Sequence, residues 1–307
     1  MPAQPLPEVQ ALLAEAAAAA PALDPDAPLE LIRQASDEGV LRFHHLVRDH
    51  GPLHEVRDVE VAGVPCRLYL PSAEISRVHV HLHGGGWWMG SLDTTDPMAR
   101  ELAQVSGMAV LSVGYRLAPE HRFPAGLDDV TAVLTRVDEL FPGATVSVGG
   151  ESAGANLAAA ACQRLRGALT LAAQWLDVPC VDLRCPEDDS IRAYGTGYGL
   201  EMAQLPVLQA WYCDDPTDPL VSPALADDLS ELPPAIVTTA ECDPLRDQGA
   251  RYAEALRNAG NDVDYRCSPG QIHASSWLTA MTPANAAWFD ETVAALVERH
   301  AALAAAR

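Results

Sequence analysis

The stretch TVSVGGESAGANLAAAACQRL, residues 145–165, decides the fold of this chain. Its first six residues form an apolar β-type run, and the alanine-rich run that begins at Ala153 is typical of a helix. Ser152 is therefore predicted in a sharp strand-to-helix turn, with its hydroxyl exposed above the positive end of the helix. Gly150 and Gly154 suit such a turn, because a Cβ at either position would collide with neighbouring backbone. The stretch predicts a nucleophilic serine.

A run of three glycines follows a second strand-like segment. The alternating residues RVHVHLH, 77–83, lead directly into Gly84-Gly85-Gly86-Trp87. Reactions at an acyl carbonyl develop negative charge on its oxygen, and fixed N–H groups stabilise that charge. Glycines present such amides with no side chain in the way. A flexible turn is the alternative for an isolated glycine run, but the serine turn further along the chain favours an oxyanion-binding loop.

Strand-like and helix-like segments alternate along most of the chain. A hairpin is predicted at 55–70, and further strands are predicted at 77–83, 108–114, 145–149, 169–176, 235–240 and 262–268. Helices are predicted at 8–20, 28–49, 95–106, 126–140, 153–165, 245–259 and 284–304. Strands alternating with helices indicate an α/β protein with a mostly parallel central sheet flanked by helices. The chemistry of such sheets collects at the carboxyl ends of the strands.

Several further segments complete the pattern of a known family. In chain order, the segments are HGGGWWMG (83–90), YRLAPEHRFPAGLDD (115–129), GESAG (150–154), SPALADDLSELPPAIVTTAECDPLRD (222–247) and GQIH (270–273). Over most of residues 55–275 the chain resembles the hormone-sensitive-lipase-like branch of the α/β-hydrolase esterases. The resemblance implies an α/β-hydrolase fold with a helical cap. It also implies that the amides of Gly85, Gly86 and Ala153 form an oxyanion hole.

Two histidines follow Ser152 in the chain. α/β-Hydrolases present nucleophile, acid and histidine in that chain order. His300 lies within the predicted terminal helix, where we expect a solvated position. His273 lies in a loop just after the predicted strand 262–268, so we expect His273 to be the general base.

The acid must follow the end of a strand, which leaves Glu241, Asp243 and Asp247. Asp247 belongs to the predicted helix 245–259. The pair Asp243-Pro244 is typical of a helix N-cap followed by proline at the first helical position. Asp243 is preferred over Glu241, and the resemblance also implies an acid at this Asp-Pro-Leu position.

The chain departs from the family pattern in three places. Ala274-Ser275 follow His273 where the family usually has Gly-Phe, Gly114 replaces an aspartate, and Glu151 stands where Asp is commoner. None of these changes removes a group that the chemistry requires. We expect them to affect efficiency and substrate rather than mechanism.

The composition excludes some classes of partner. With 20 basic and 42 acidic residues the net charge is −22, which argues against nucleic acid or an anionic membrane surface as partner. No run approaches the roughly 20 apolar residues of a membrane span. The N-terminal alanine run is broken by Glu15 and followed by Pro21, unlike a signal peptide. Most of the seven cysteines lie in apolar or strand-like runs and none has zinc spacing, so we expect reduced, buried thiols and no metal. Together with the sequence of the N-terminus, this predicts a cytoplasmic protein.

Together these features predict a cofactor-independent serine carboxylesterase that hydrolyses short-chain acyl esters of small molecules. Residues 1–50 are expected to form N-terminal cap helices, and residues 51–307 a catalytic domain with a cap insertion at about 184–222. Trp87 and Trp88 are candidates for the substrate pocket. Two alternatives stay open: a deacetylase or lactonase dedicated to one natural product, and a ligand receptor on the same fold. The sequence also leaves open a monomer or a homodimer.

Overall fold

The computed structural model describes residues 2–19 and 27–307. Within these residues the strands are β1 (Glu55–Val61), β2 (Val64–Leu70), β3 (Arg77–Leu82), β4 (Ala109–Val113), β5 (Thr145–Glu151), β6 (Gln174–Asp177), β7 (Ala235–Ala240) and β8 (Val263–Ser268). They form one sheet in the order β1-β2-β4-β3-β5-β6-β7-β8. β2 pairs antiparallel with β1 and β4, and all other neighbours are parallel. The predicted mostly parallel sheet is confirmed.

Helices cover both faces of this sheet. Those in the described residues are α1 (Pro7–Ala19), α2 (Leu29–Leu41), α3 (Asp96–Ser106), α4 (Ala125–Leu134), α5 (Val137–Leu140), α6 (Ala153–Arg164), α7 (Asp189–Tyr194), α8 (Leu205–Tyr212), α9 (Arg246–Asn258) and α10 (Pro283–Ala305). One core cluster joins α4, α6 and α9 to one face of the sheet. A second cluster joins α3 and α10 to the other face. Because helices cover both faces, nearly every residue of the central strands β3 to β7 is buried, including polar ones such as His79, His81 and Ser147.

Some predicted boundaries differ from the structure. The predicted helix 28–49 ends at Leu41, because the chain beyond it is held by other partners: Ala280 N–H donates to Leu46 O at 2.7 Å. The predicted helix 126–140 is interrupted between α4 and α5, and the predicted strand 169–176 begins only at Gln174. Residue 1 and residues 20–26, which belong to the predicted cap segment 1–50, lie outside the described residues. No helix in the described ranges is long and apolar enough to cross a membrane.

His300 is fully buried, so the prediction of a solvated position is wrong. α10 packs on the sheet, and its histidine meets two hydroxyl groups of β5. His300 Nε2 lies 2.8 Å from Ser147 Oγ, and His300 Nδ1 lies 2.7 Å from Thr145 Oγ1. Burial lowers the pKa of His300 to about 4. The imidazole is therefore a neutral, hydrogen-bonded part of the core.

We expect this histidine to make the fold sensitive to mild acid. Below about pH 6.5 the unfolded chain takes up a proton at His300, while the folded imidazole stays neutral until about pH 4. Stability that is present above pH 6.5 is therefore lost as the pH falls towards 4. His300→Gln cannot take up this proton, so between pH 7.5 and 5 it should lose roughly 2 kcal/mol less free energy of unfolding than the wild type. Urea unfolding at both pH values measures this difference, and equal losses in the two proteins would contradict the expectation.

Candidate active site

Ser152 stands in a sharp turn between β5 and α6. Its backbone has φ 55° and ψ −114°, a conformation that residues other than glycine rarely adopt. A Cβ added to Gly150 or to Gly154 would lie 2.0 Å from the carbonyl oxygen of Leu82. Only glycine at these two positions therefore allows the end of β3 to approach the turn this closely. The Ser152 N–H donates to the Asp177 carbonyl at 2.9 Å. The turn is thus held between the carboxyl ends of β3 and β6.

The structure brings Ser152, His273 and Asp243 into one hydrogen-bonded line. His273 Nε2 lies 2.9 Å from Ser152 Oγ, and His273 Nδ1 lies 2.9 Å from Asp243 Oδ2. The Asp243 side chain is 1% exposed and that of His273 is 10% exposed. The imidazole is therefore largely shielded from water, and its hydrogen bond to the carboxylate fixes the orientation of the ring. This geometry suits transfer of a proton from the serine to the histidine.

The other two acid candidates lie in different surroundings. Glu241 accepts a hydrogen bond from the Gly270 amide at 2.8 Å, and it thereby anchors the loop that carries the histidine. Asp247 lies in α9 and accepts from Ser190 N–H at 2.8 Å. The expected N-cap role of Asp243 is wrong, because α9 begins only at Arg246. Asp243 instead accepts from the Leu245 amide with one oxygen and contacts His273 with the other.

Two further carboxylates act on the charge of the imidazole. Burial of His273 lowers its pKa, but Asp243, Asp177 and Glu151 raise it by more, so the net shift is upward. Asp177 is buried at the end of β6, where burial raises its pKa to about 6. It accepts hydrogen bonds from Thr238 Oγ1 and Ser276 Oγ. Sequence reasoning missed Asp177, although a carboxylate at the end of a predicted strand was an available signal.

The glycine loop, residues 84–90, lies next to the serine. Gly85 has φ 106° and Gly86 has φ 57°, conformations that favour glycine. Within the described chain, the amides of Gly85, Gly86 and Ala153 donate to no other protein group. They are therefore available to an oxygen atom bound above Ser152.

The base of the glycine loop is held by neighbouring side chains. Gly84 N–H donates to Glu151 Oε1 at 2.7 Å, so the longer carboxylate at this departure from the family pattern reaches the loop. His83 Nδ1 lies 2.7 Å from the Gly84 carbonyl oxygen. Tyr115 donates its hydroxyl to the His83 carbonyl at 2.7 Å. His83 thus braces the loop.

The two other departures also have structural explanations. Ala274 has φ 58°, the left-handed conformation that a glycine adopts without strain. Ser275 is buried and donates to Gln271 Oε1 at 2.7 Å, and Asn285 Nδ2 donates to the Ser275 carbonyl at 2.6 Å. These bonds tie the histidine loop to the start of α10. At Gly114 a Cβ would lie 3.0 Å from the Pro65 carbonyl oxygen, which leaves little room for a larger residue.

A cavity of about 290 Å³ opens above Ser152. It is lined mainly by apolar side chains, among them Val40, Trp88, Met89, Met98, Leu200, Met202, Leu205, Leu208, Leu245 and Trp277. Trp87 also borders it, but this ring is 3% exposed and stacks on Tyr212 with ring centres 4.4 Å apart. Trp88 is more exposed and lies edge-on to Trp211, at 5.6 Å. Trp88 therefore shapes the pocket more directly than Trp87.

Known proteins share both the sequence and the fold. A family model described as alpha/beta hydrolase fold matches residues 79–276, more than half of the chain. The carboxylic ester hydrolase LipN of Mycobacterium tuberculosis is 38% identical over 264 residues, 79% of this chain and 70% of that protein. An ethyl acetate hydrolase of Pseudomonas putida is 37% identical over 225 residues, 68% of this chain and 70% of that protein.

Solved structures agree over almost the full length. An ester hydrolase from the metagenome of Lake Arreo superposes with a TM-score of 0.87 at 35% identity, covering 96% of this chain and 99% of that chain. An arylesterase superposes with a TM-score of 0.85 at 33% identity, covering 97% and 99%. The predicted α/β-hydrolase fold is confirmed, and the chain belongs to the hormone-sensitive-lipase-like family of α/β hydrolases.

Proposed function

We propose that this protein is a serine carboxylesterase in which Ser152, His273 and Asp243 form the catalytic triad. The observation that carries the proposal is the line of hydrogen bonds from Ser152 Oγ through both ring nitrogens of His273 to Asp243. The nucleophile, base and acid of acyl transfer need this arrangement. The relatives named carboxylic ester hydrolase and ethyl acetate hydrolase support the same chemistry.

The first half of the reaction forms an acyl-enzyme. His273 Nε2 takes the proton from Ser152 Oγ as that oxygen attacks the ester carbonyl, and Asp243 stabilises the resulting imidazolium. The amides of Gly85, Gly86 and Ala153 donate to the oxyanion of the tetrahedral intermediate. Collapse of this intermediate breaks the bond to the alcohol oxygen, which leaves with the proton from His273.

The second half releases the acid. A water molecule gives a proton to His273 Nε2 and attacks the acyl carbon, and the same three amides hold the second oxyanion. Ser152 Oγ then leaves with the proton from the imidazolium, which restores the free enzyme. The raised pKa of His273 makes it a stronger base. On acidification, we therefore expect the activity to be lost at a pH above the pKa of an ordinary imidazole.

We further propose that residues 1–50 and about 184–222 form a cap over a catalytic domain of residues 51–307. Val40 of α2 and Leu200, Met202 and Leu205 of the second segment line the cavity, which supports this division. A small-molecule ester fits such an apolar space. The cytoplasmic location, the absence of a nucleic-acid partner and the homodimer alternative stay predictions.

The cavity predicts a preference for short acyl chains. Its volume of about 290 Å³ is close to the lower limit of small-molecule pockets, which span roughly 300–1,000 Å³. Each methylene that fits should raise kcat/KM roughly fourfold, from about 0.8 kcal/mol of burial. Once the space is filled, overpacking outweighs this gain. We therefore expect kcat/KM to peak at short chains.

A series of p-nitrophenyl esters of graded acyl length, with Ser152→Ala as the inactive control, tests both the function and the pocket size. An emulsified long-chain triglyceride completes the series. Equal hydrolysis by wild type and Ser152→Ala would overturn the esterase proposal. A maximum at long chains, or a rise in rate when the substrate forms an interface, would instead indicate a lipase with a movable lid.

A further inference from the structure

The N-terminal helix α2 contacts the glycine loop at two points. Arg33 Nε donates to the Trp88 carbonyl at 2.6 Å, and the Gly90 N–H donates to Asp37 Oδ1 at 3.0 Å. Arg33 and Asp37 are four residues apart, so they share one face of the helix. No residue of α2 is fully buried. The helix therefore lies at the surface of the protein, and these polar contacts join it to the loop.

Arg33 is itself held in place. Its guanidinium forms two hydrogen bonds with the Glu120 carboxylate, at 2.8 and 3.0 Å, and a third with the Ala118 carbonyl at 3.1 Å. The Ala118 amide in turn donates to the Trp87 carbonyl at 2.8 Å. An arginine fixed by a fork of this geometry is a rigid donor. The contact at Trp88 is thus part of a connected frame around the outer side of the loop.

The loop needs such a frame because of its glycines. Inside the loop, the Gly85 carbonyl accepts from the amides of Trp88 and Met89, both at 3.1 Å. Displacement of Trp88 would therefore turn the Gly85 peptide and the amides beside it. Glycine has more backbone freedom than any other residue, whereas an oxyanion donor is effective only when its direction is set beforehand.

We propose that Arg33 and Asp37 are positioning residues that hold the oxyanion loop, so that α2 serves the chemical step as well as covering the pocket. This inference rests on the proposed function, because it takes the amides of the glycine loop to bind the oxyanion. A cap helix can have either of two roles. A helix that only covers the pocket affects substrate binding, whereas one that orders the loop affects kcat.

The test compares four proteins in ester hydrolysis: wild type, Asp37→Ala, Asp37→Asn and Glu30→Ala. Asp37→Ala removes the acceptor for Gly90 N–H, and we expect kcat to fall roughly tenfold, less than the roughly 10²-fold cost of a misplaced or lost donor, with little change in KM. Asp37→Asn keeps an acceptor oxygen and should stay within about twofold of wild type. Glu30 is an exposed carboxylate of the same helix, so Glu30→Ala should match wild type.

Two further readouts separate loop positioning from loss of stability. The inhibition constant of a trifluoromethyl ketone, which forms an oxyanion on the serine, should rise in Asp37→Ala by the factor that kcat/KM falls. Hydrogen exchange of residues 84–90 should be faster in Asp37→Ala, also in a Ser152→Ala background that has no turnover. Hydrogen exchange in the Ser152→Ala background needs no esterase activity, so it tests the inference even if the proposed function fails.

Several outcomes would overturn the inference. One is a rise in KM at unchanged kcat in Asp37→Ala. Others are Asp37→Asn being as impaired as Asp37→Ala, or unchanged exchange of residues 84–90. Failure of the proposed function would look different, because wild type would then hydrolyse no ester, or Ser152→Ala would hydrolyse it equally well.

Discussion

Replacement of Ser152 or His273 by alanine is expected to lower kcat for ester hydrolysis by roughly 10⁵–10⁶-fold, and the double variant should be scarcely slower than either single one. The reason is the 2.9 Å contact between Ser152 Oγ and His273 Nε2. Each group works only through the other, so loss of the first already removes the contribution of the second. Single-turnover and steady-state rates with a p-nitrophenyl ester measure the three losses.

Matched controls exist on the surface of the same chain. Ser72 and His121 are exposed, so Ser72→Ala and His121→Ala make the same chemical changes away from the site and should keep the wild-type rate. Losses that multiply in the double variant, or a folded His273→Ala protein with near wild-type activity, would disprove the triad assignment. Asp243→Asn should lose less, roughly 10⁴-fold, because it keeps the ring in place but favours the wrong tautomer.

Replacement of Gly85 by valine is expected to lower kcat by roughly 10²–10³-fold, or about 2.7–4 kcal/mol, with a much smaller effect on KM. A Cβ at this position would lie 2.3 Å from the Met89 carbonyl oxygen, and φ is 106°. The peptide must therefore rotate or shift, which moves a proposed oxyanion donor. Since the oxyanion exists only beyond the ground state, the loss falls on the chemical step.

Gly63 provides the control for backbone strain. It also has a positive φ, 81°, but a Cβ there would meet nothing within 4 Å. Gly63→Val should therefore lose some stability and keep its kcat. Circular dichroism and thermal unfolding identify the folded variants. If folded Gly85→Val keeps more than about a third of the wild-type kcat, the loss is under 1 kcal/mol, and the loop does not bind the oxyanion as proposed.

Much of this protein follows from short stretches of its sequence. The turn at Ser152, the glycine loop that begins at Gly84 and the hairpin 55–70 depend on neighbouring residues, because steric limits on the backbone act within a few residues. The alternation of strands and helices is also local, since each element shows its own periodicity. Two histidines follow Ser152 in the chain, and only His273 lies in a loop at the end of a predicted strand.

The tertiary structure decided what depends on contacts between distant segments. Asp243 and Glu241 both follow β7, so the sequence alone does not show which carboxylate contacts the histidine. The path of the histidine loop places His273 against Asp243 and the Gly270 amide against Glu241. The sequence predicted a solvated His300, because the β5 hydroxyl groups that contact His300 lie about 150 residues away in the chain. The same holds for the effect of Asp177 on the pKa of His273 and for the hydrogen bonds between α2 and the glycine loop. Burial and long-range hydrogen bonds arise only when the sheet brings its strand ends together, and no local pattern records them.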